Sequence, residues 1–569
     1  MDRRVAQGRS PLASDAPTSL FVSIAIGSAL VALALVVYTL SHPYRFYNHF
    51  EWQALAFLEG QTAIRFPVEA TASSPGNAFF NDVLPVAPTP DGVPRGVVPF
   101  PPLPAIVLVP FVAIWGVAAD GQLIFAIIGA IDVGIAWWML GRLPIRTWVR
   151  ITATVFLGFG TVLWYAAQIG TTWYQAHVLA VGLALAAIGL ALGGDRNAAR
   201  SEDDLADERE LEQKELEQRE LDQRSAGQPS RQPSGSGGET SAGWPRFRLA
   251  DLVPEPRQFV AGILFGLACT SRLTVAFAAP FFLLVGPGGS WKKRGWSAAL
   301  GAGIPIGLLV VYNVVSTGHV FHPGYQYLYE LEAGFYKALN YNLDWEIEDL
   351  RYLPQNVAIM FFNTPVWNPT VVPSALGLGG PLCVDPSAVR GLFNPACPIV
   401  LPRDTGMSIL LTSPAYLLAL PAIRWGFGIS RLVTGAGIAV VIVAVINLMH
   451  FSQGWVQFGY RFSLDFSPWA ILLVAIGLER IATWARQGDG GRQTVAGASP
   501  SWPPADRPWR VSTGATASDP AAIAPATVGT ATIGRRVLGW AVIGLALVLV
   551  AVSVLVNFWG VVWGGALGW

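Results

Sequence analysis

The sequence predicts an all-α polytopic membrane protein with about eleven transmembrane helices. Three observations carry that reading. The chain of 569 residues is 52% hydrophobic and only 13% charged, with 22 Trp and 29 Phe and a mean hydropathy of +0.45; soluble chains carry about 25% charge. Apolar runs of spanning length recur along it. Short turns between them carry clustered Arg and Lys. Together these exclude a soluble enzyme, a nucleic-acid binder and a secreted disulfide scaffold. The zero formal net charge implies no polyanionic partner. The bias to Arg over Lys, with abundant Ala, Gly and Pro, suits a GC-rich bacterial genome.

Residues 18–40 form the first span. Arg3, Arg4 and Arg9 precede it and no small-x-small cleavage site follows, so it reads as an uncleaved anchor with a cytoplasmic N-terminus. Polar sequence runs to about Pro99. A Pro-rich apolar stretch, 101–118, opens PFPPLP and reads as a short helix at the interface that does not fully cross. Spans follow at 121–141, 151–168 and 176–193. Residues 258–286 read as two short passes hinged near Ser271 and Arg272, because broken helices at depth are tolerated where they line a polar cavity. Further spans are 297–315, 407–422, 432–450, 464–479 and 537–557. This arrangement puts the basic turns 142–150 and 287–296, Arg424 with Arg431, and Arg535 with Arg536 all in the cytoplasm, as the positive-inside rule requires.

The chain then divides into a cytoplasmic N-terminus (1–17), a first membrane module (18–193) with outer loop 41–120, and a charged cytoplasmic insert (194–256). A second module (257–484) carries outer loop 316–406. A disordered linker (485–535) and a C-terminal helix (536–569) complete it. The insert holds the pentad repeat ELEQK-ELEQR-ELDQR, whose five-residue period matches neither a heptad nor a 3.6-residue stripe and reads as a solvated helix. Cys383 and Cys397 sit fourteen apart in the second outer loop and could pair if that loop faces an oxidising side. Cys269 lies in an apolar run as packing.

Candidate chemistry crowds the outer ends. The stretch HPYRFYNHFEWQALAFLEG (42–60) fits an amphipathic juxtamembrane helix from Tyr47 onward, with Asn48, His49 and Glu51 near its start. Asp82 follows in the same loop, where a carboxylate could deprotonate a hydroxyl. Arg272, between two apolar passes, needs an anion: a lipid phosphate, or a structural pair with a buried acid such as Asp132. The turn 453–465 brings Trp455, Gln457, Tyr460 and Arg461 together, a surface suited to sugar and phosphate, or an interfacial aromatic belt. Mixed chemistry recurs from Trp164 to His177. His319 and His322 form an HxxH without a third metal ligand in view. No nucleotide-binding loop, dinucleotide fingerprint or HExxH is present. No cofactor is expected, and the sequence leaves a divalent metal open.

These features resemble the GT-C class of membrane glycosyltransferases, close to the polyprenyl-phosphate-sugar-dependent, mannosyltransferase-like families. The shared features are the single N-terminal span before an outer loop with juxtamembrane helices, an A-x(3)-G run (Ala56 to Gly60), a Pro-Pro apolar helix (Pro101–Pro102) and a GLxxxxR pair of short spans (Gly266, Leu267, Arg272). The resemblance covers roughly 41–480. It implies a multi-pass enzyme of the bacterial inner membrane with its site outside the cytoplasm. Its donor would be a polyprenyl-phosphate-linked sugar, its acceptor a glycan, lipid or protein hydroxyl, and its chemistry an inverting transfer. The families usually carry Asp-Glu after the first span, with the Asp as base; here Asn48–His49 stands nearest. An amide takes no proton, so the role passes to Asp82, then Glu51, then His49. Asn48, Arg272, Trp455, Gln457, Tyr460 and Arg461 would bind substrate. The alternatives are a lipid-linked glycan flippase, or a degenerate scaffold.

Overall fold

The computed structural model describes residues 20–40, 47–71, 75–194, 253–335, 342–374, 379–454, 456–487 and 530–567. The N-terminus, almost all of the charged insert with its pentad repeat, Trp455 and most of the linker lie outside the described residues. What is described is a predominantly helical multi-pass membrane protein with two small sheets.

The first helix, α1 (Leu20–Leu40), has no charged residue. It packs on α4 (Gly121–Leu140) through Trp137, whose indole donates to Ser23 O at 2.9 Å. Between them in sequence lie two shorter helices, α2 (His49–Leu58) and α3 (Leu103–Trp115), which pack on each other. At about 1.5 Å per residue α3 is near 20 Å long, short of a ~30 Å hydrocarbon core, and Pro110 interrupts its ladder. It accordingly does not qualify as a span, as the sequence indicated. α2 departs from the expected surface helix: His49, Phe50, Glu51, Trp52, Gln53 and Ala54 are all buried, so it is roofed over and does not float at the interface. The roof is a three-stranded antiparallel sheet that the sequence analysis did not anticipate, β1 (Ile64–Arg65), β2 (Leu84–Val86) and β3 (Arg95–Val97) in the order β1-β3-β2. A small core of Trp52, Ile64, Phe80, Val83 and Val98 joins it to α2.

The helices α5 (Thr147–Phe159) and α6 (Leu163–Ile169) form one bent unit, broken by 45° at the Gly160–Val162 link. α7 (Thr172–Gly194) follows. α8 (Pro256–Cys269) ends at Thr270–Arg272, after which a 3₁₀ turn (Leu273–Ala278) and α9 (Phe281–Leu284) complete the hinge read at Ser271 and Arg272. α8 lies tightly against α10 (Trp291–Thr317), because Gly262 and Gly266 abut the backbone of Ala298 and Ala302 with no room for a Cβ, the small-residue contact of membrane helices. The second loop region holds α11 (Gly324–Phe335), α12 (Leu353–Phe362) and the strand pair β4 (Val366–Trp367) and β5 (Val400–Leu401). Cys383 and Cys397 are disulfide-bonded there, and Cys269 is buried and free. A broken stretch, α13 (Ile409–Thr412), a 3₁₀ turn and α14 (Leu420–Gly426), leads to α15 (Arg431–Met449), α16 (Ser467–Gln487) and α17 (Thr530–Leu567).

Among the described residues seven helices are long and apolar enough to cross a bilayer, or eight with the bent α5–α6 pair. The expected count of about eleven included three passes that are short, broken pieces here, two in 258–286 and one at 407–422. At one end of the bundle, Arg146 pairs with Glu479, and Arg142 and Arg150 lie over Trp138 and Trp137. The long loops gather at the other, which we call the loop end.

Candidate functional site

The site at the loop end is assembled from separate segments of chain. The first is the loop before β2. Phe80 and Val83 are buried in the small core, and Asn77 locks the hairpin by donating to Arg65 O while accepting from Val68 N, both at 2.8 Å. Asp82, held between these anchors, turns the other way. Its Oδ1 lies 2.7 Å from His49 Nε2; its side chain is 9% exposed and Oδ2 is buried with no partner. His49 stacks on Phe80 with ring centroids 3.7 Å apart.

The hydrogen bonds fix the protons of this pair. Thr172 Oγ1 donates its one proton to Tyr47 O at 3.0 Å, since a carbonyl can only accept. The same oxygen, 2.9 Å from His49 Nδ1, must therefore accept from that nitrogen. With Nδ1 protonated, the 2.7 Å contact between Nε2 and Oδ1 needs a second proton, held as imidazolium–carboxylate or as neutral imidazole–carboxylic acid. Either way the pair is formally neutral and leaves one oxygen, Oδ2, buried without a partner.

The second segment is the turn at 453–461. The guanidinium of Arg461 lies over Tyr174 and Phe462 at 5.5 and 5.3 Å, and its Nε is buried without a hydrogen bond. Gly454, with φ +79°, lets it settle, because a Cβ there would strike the guanidinium. The third segment is α11, which contributes Glu332. Burial pushes Glu332 up to about 8, the charge of Asp82 adding to the effect and Arg461 opposing it. Its Oε2 is also buried and unpartnered. Glu332 thus lies within electrostatic reach of both Asp82 and Arg461, and each of the three carries a buried polar atom without a partner. Glu332 was missed by the sequence reading: one acid in YELEAGF carries no local signal, and only the loop packing brings it to Asp82.

Beside this centre lies a second network. Asp465 accepts from Arg272 Nε and Nη2 at 3.2 and 3.0 Å, from Thr274 Oγ1 at 2.7 Å, and from Asn447 Nδ2 at 3.3 Å; His177 Nδ1 is 2.8 Å away. Burial would raise the Asp465 carboxyl, but Arg272 and His177 hold it well below the usual carboxylate range. Arg272 is therefore bidentate to Asp465 and not paired with Asp132, which is buried alone in α4 with one oxygen unpartnered. With 20% of its side chain exposed, Arg272 borders the centre, lying over the same Phe462 ring as Arg461 at 5.2 Å.

The other sequence candidates separate. Glu51 points away from Asp82 toward Gly121, Gln175 and Asp120; burial, reinforced by Asp120, pushes it up to about 8 against hydrogen bonds from its own backbone, Gln175 and Gly121. Gln457 donates its Nε2 to backbone carbonyls of Gln453, Thr405 and Gly454, which braces the turn, while its Oε1 is buried without a partner. Tyr460 is fully buried, and Asn48 leaves a buried Oδ1 without a partner. The stretch from Trp164 to His177 supplies walls: Trp173 against Tyr47, Tyr174 under Arg461, His177 on Asp465. His322 Nδ1 accepts from Gly324 N, and among the described residues no group of three His, Cys, Asp or Glu is placed to hold a metal.

No protein-family model matches the sequence, and no curated protein matches it. Among solved structures the chain is similar to ArnT from Cupriavidus metallidurans bound to undecaprenyl phosphate, at 13% identity over 95% of this chain and 76% of that one, with a TM-score of 0.41.

Proposed function

We propose that this protein is a GT-C-type glycosyltransferase of the bacterial cell membrane. It moves a sugar from a polyprenyl-phosphate donor to an acceptor hydroxyl outside the cytoplasm. The observation that carries this reading is that an unpartnered, buried oxygen of Asp82 and an unpartnered, buried Nε of Arg461 both lie near Glu332, at the end of the bundle away from the basic turns. One group suits a hydroxyl proton and the other a leaving phosphate.

In the step proposed, the acceptor oxygen attacks the anomeric carbon and passes its proton to Asp82 Oδ2. The bond from that carbon to the phosphate oxygen breaks, and the lipid phosphate leaves with both electrons. A single displacement inverts the anomeric centre. The phosphodiester becomes a monoester and gains one negative charge, while the Asp82–His49 pair changes from neutral to singly positive, so the site's total charge is conserved. Arg461 faces the charge developing on the phosphate. A phosphate leaving group needs little acid assistance, so one base suffices.

A flippase for lipid-linked glycans would use similar contacts, but it calls for ionisable groups along the membrane depth and paired halves. Here, Asp132 in α4 apart, the ionisable groups described above concentrate at the loop end. The test is transfer of label from radiolabelled polyprenyl-phosphate sugars in purified membranes containing the protein. Label is expected in an acceptor fraction; donor translocation without bond cleavage would refute the enzyme reading.

A further inference from the structure

Beyond the central site lies a separate cavity of about 490 Å³ in the disulfide-bonded loop, within the range of small-molecule sites, roughly 300–1,000 Å³. Its wall includes Trp367, Asn368, Thr370, Ser374, Arg403 and Asp404. Trp367 is 67% exposed, a large flat ring displayed where burial would otherwise be favourable. It is nevertheless firmly held. Val366 and Trp367 pair with Leu401 and Val400, Asn368 N donates to Ile399 O at 2.7 Å, and Leu382 N to Thr370 O at 2.7 Å. Arg390 spans Pro369 O and Pro398 O at 3.2 and 2.7 Å, and the disulfide closes the far end. Arg403 is aimed by one bond, Nε to Thr364 O at 2.7 Å.

The structure assigns this cavity as a saccharide-binding subsite, occupied by sugar units of the acceptor remote from the reacting hydroxyl. The chemistry is that of a sugar ring, with an apolar C–H face for the indole and a rim of hydroxyls for amide and hydroxyl groups that both donate and accept. One guanidinium beside one carboxylate leaves no net charge, which disfavours a phosphate or a polyanion as occupant. A peptide adding as a strand finds no long free edge, since β4 pairs with β5 and 370–372 pair with 380–382. The cavity is also tied to the centre: Gln457 N donates to Asp404 O at 3.1 Å and Met407 N to Gly459 O at 3.1 Å, so one wall of the cavity braces the turn that carries Arg461. Binding energy gained there would hold a glycan's reacting end in register.

That the occupant belongs to the acceptor rests on the glycosyltransferase reading; that the cavity binds saccharide does not. The test is saturation-transfer NMR on the full-length protein in lipid nanodiscs, with manno-, arabino-, gluco- and galacto-oligosaccharides as probes. At least one should bind. Trp367→Ala should weaken it by about tenfold or more, the scale of losing an aromatic anchor, and Arg403→Gln should weaken it less. Absence of binding by every probe overturns the subsite, as does unchanged binding in both Trp367→Ala and Arg403→Gln. Saccharide binding that depends on Trp367 in a protein without transfer activity removes the enzyme reading and leaves the subsite standing. Transfer with an acceptor KM unmoved by Trp367→Ala removes the subsite alone.

Discussion

Replacing Asp82 by Asn tests the proposed chemistry with little disturbance of the fold. His49 Nδ1 keeps its proton on Thr172 Oγ1, so its Nε2 becomes a bare acceptor. The carboxamide can donate to it across the same 2.7 Å contact, and no buried atom loses its partner. What disappears is the second oxygen as a proton acceptor. Loss of a general base costs about 100- to 10,000-fold in rate, about 3–5 kcal/mol of barrier at 1.36 kcal/mol per factor of ten. The assay is single-turnover sugar transfer in membranes, with donor affinity and the thermal midpoint measured alongside. We expect turnover to fall by that factor, donor affinity to hold because the carboxylate faces the acceptor, and the midpoint to stay within about 2 °C. Full transfer by Asp82→Asn would refute the assignment, and abolition by Glu51→Gln instead would move the base to the buried face of α2.

The two arginines should fail differently. Arg461→Gln is expected to lower turnover about 100- to 1,000-fold and weaken donor binding with normal stability, whereas Arg272→Gln strands the buried Asp465 charge and should cost about 3–5 kcal/mol in unfolding experiments, partly recovered by adding Asp465→Asn. The Cys383–Cys397 bond closes a separation of 14 residues, worth about 3 kcal/mol in the chain-entropy model; Cys383→Ser should lower the thermal midpoint, and both thiols should resist alkylation until reduced. Because Glu51 rises from 4.5 to about 8 on folding, the native state holds a proton that the unfolded chain releases. Stability should therefore be full below about pH 4.5 and decline as pH rises through 8, by a few kcal/mol from this group, and Glu51→Gln should remove that part of the slope in a detergent melt. A cysteine placed at Lys293 should react only with membrane-permeant reagents and one at Asp91 with impermeant ones, which checks the proposed orientation.

The sequence by itself determined the class of protein and most of its spans. A bilayer imposes length and apolarity on each crossing segment independently, so runs such as 18–40 and 432–450 are visible without knowing their neighbours. It also located the hinge at Ser271–Arg272, because a charge between two apolar passes is costly wherever it ends up, and it picked out Asp82, His49 and Arg461 from polar crowding near span ends. Only tertiary structure decided where these groups sit and what they touch. The partner of Arg272 is Asp465, nearly two hundred residues away, and not Asp132. Glu51 faces Gln175 and Gly121 although it is two residues from His49, because residues two apart on a helix project about 200° apart, to nearly opposite faces. Gln457 spends its amide inside its own turn, and Glu332 enters the centre on a helix with no sequence mark of its own. Span formation is a local balance between a segment and its solvent. The site depends on hydrogen bonds and charges between loops distant in sequence, and these acquire their partners only when the loops pack.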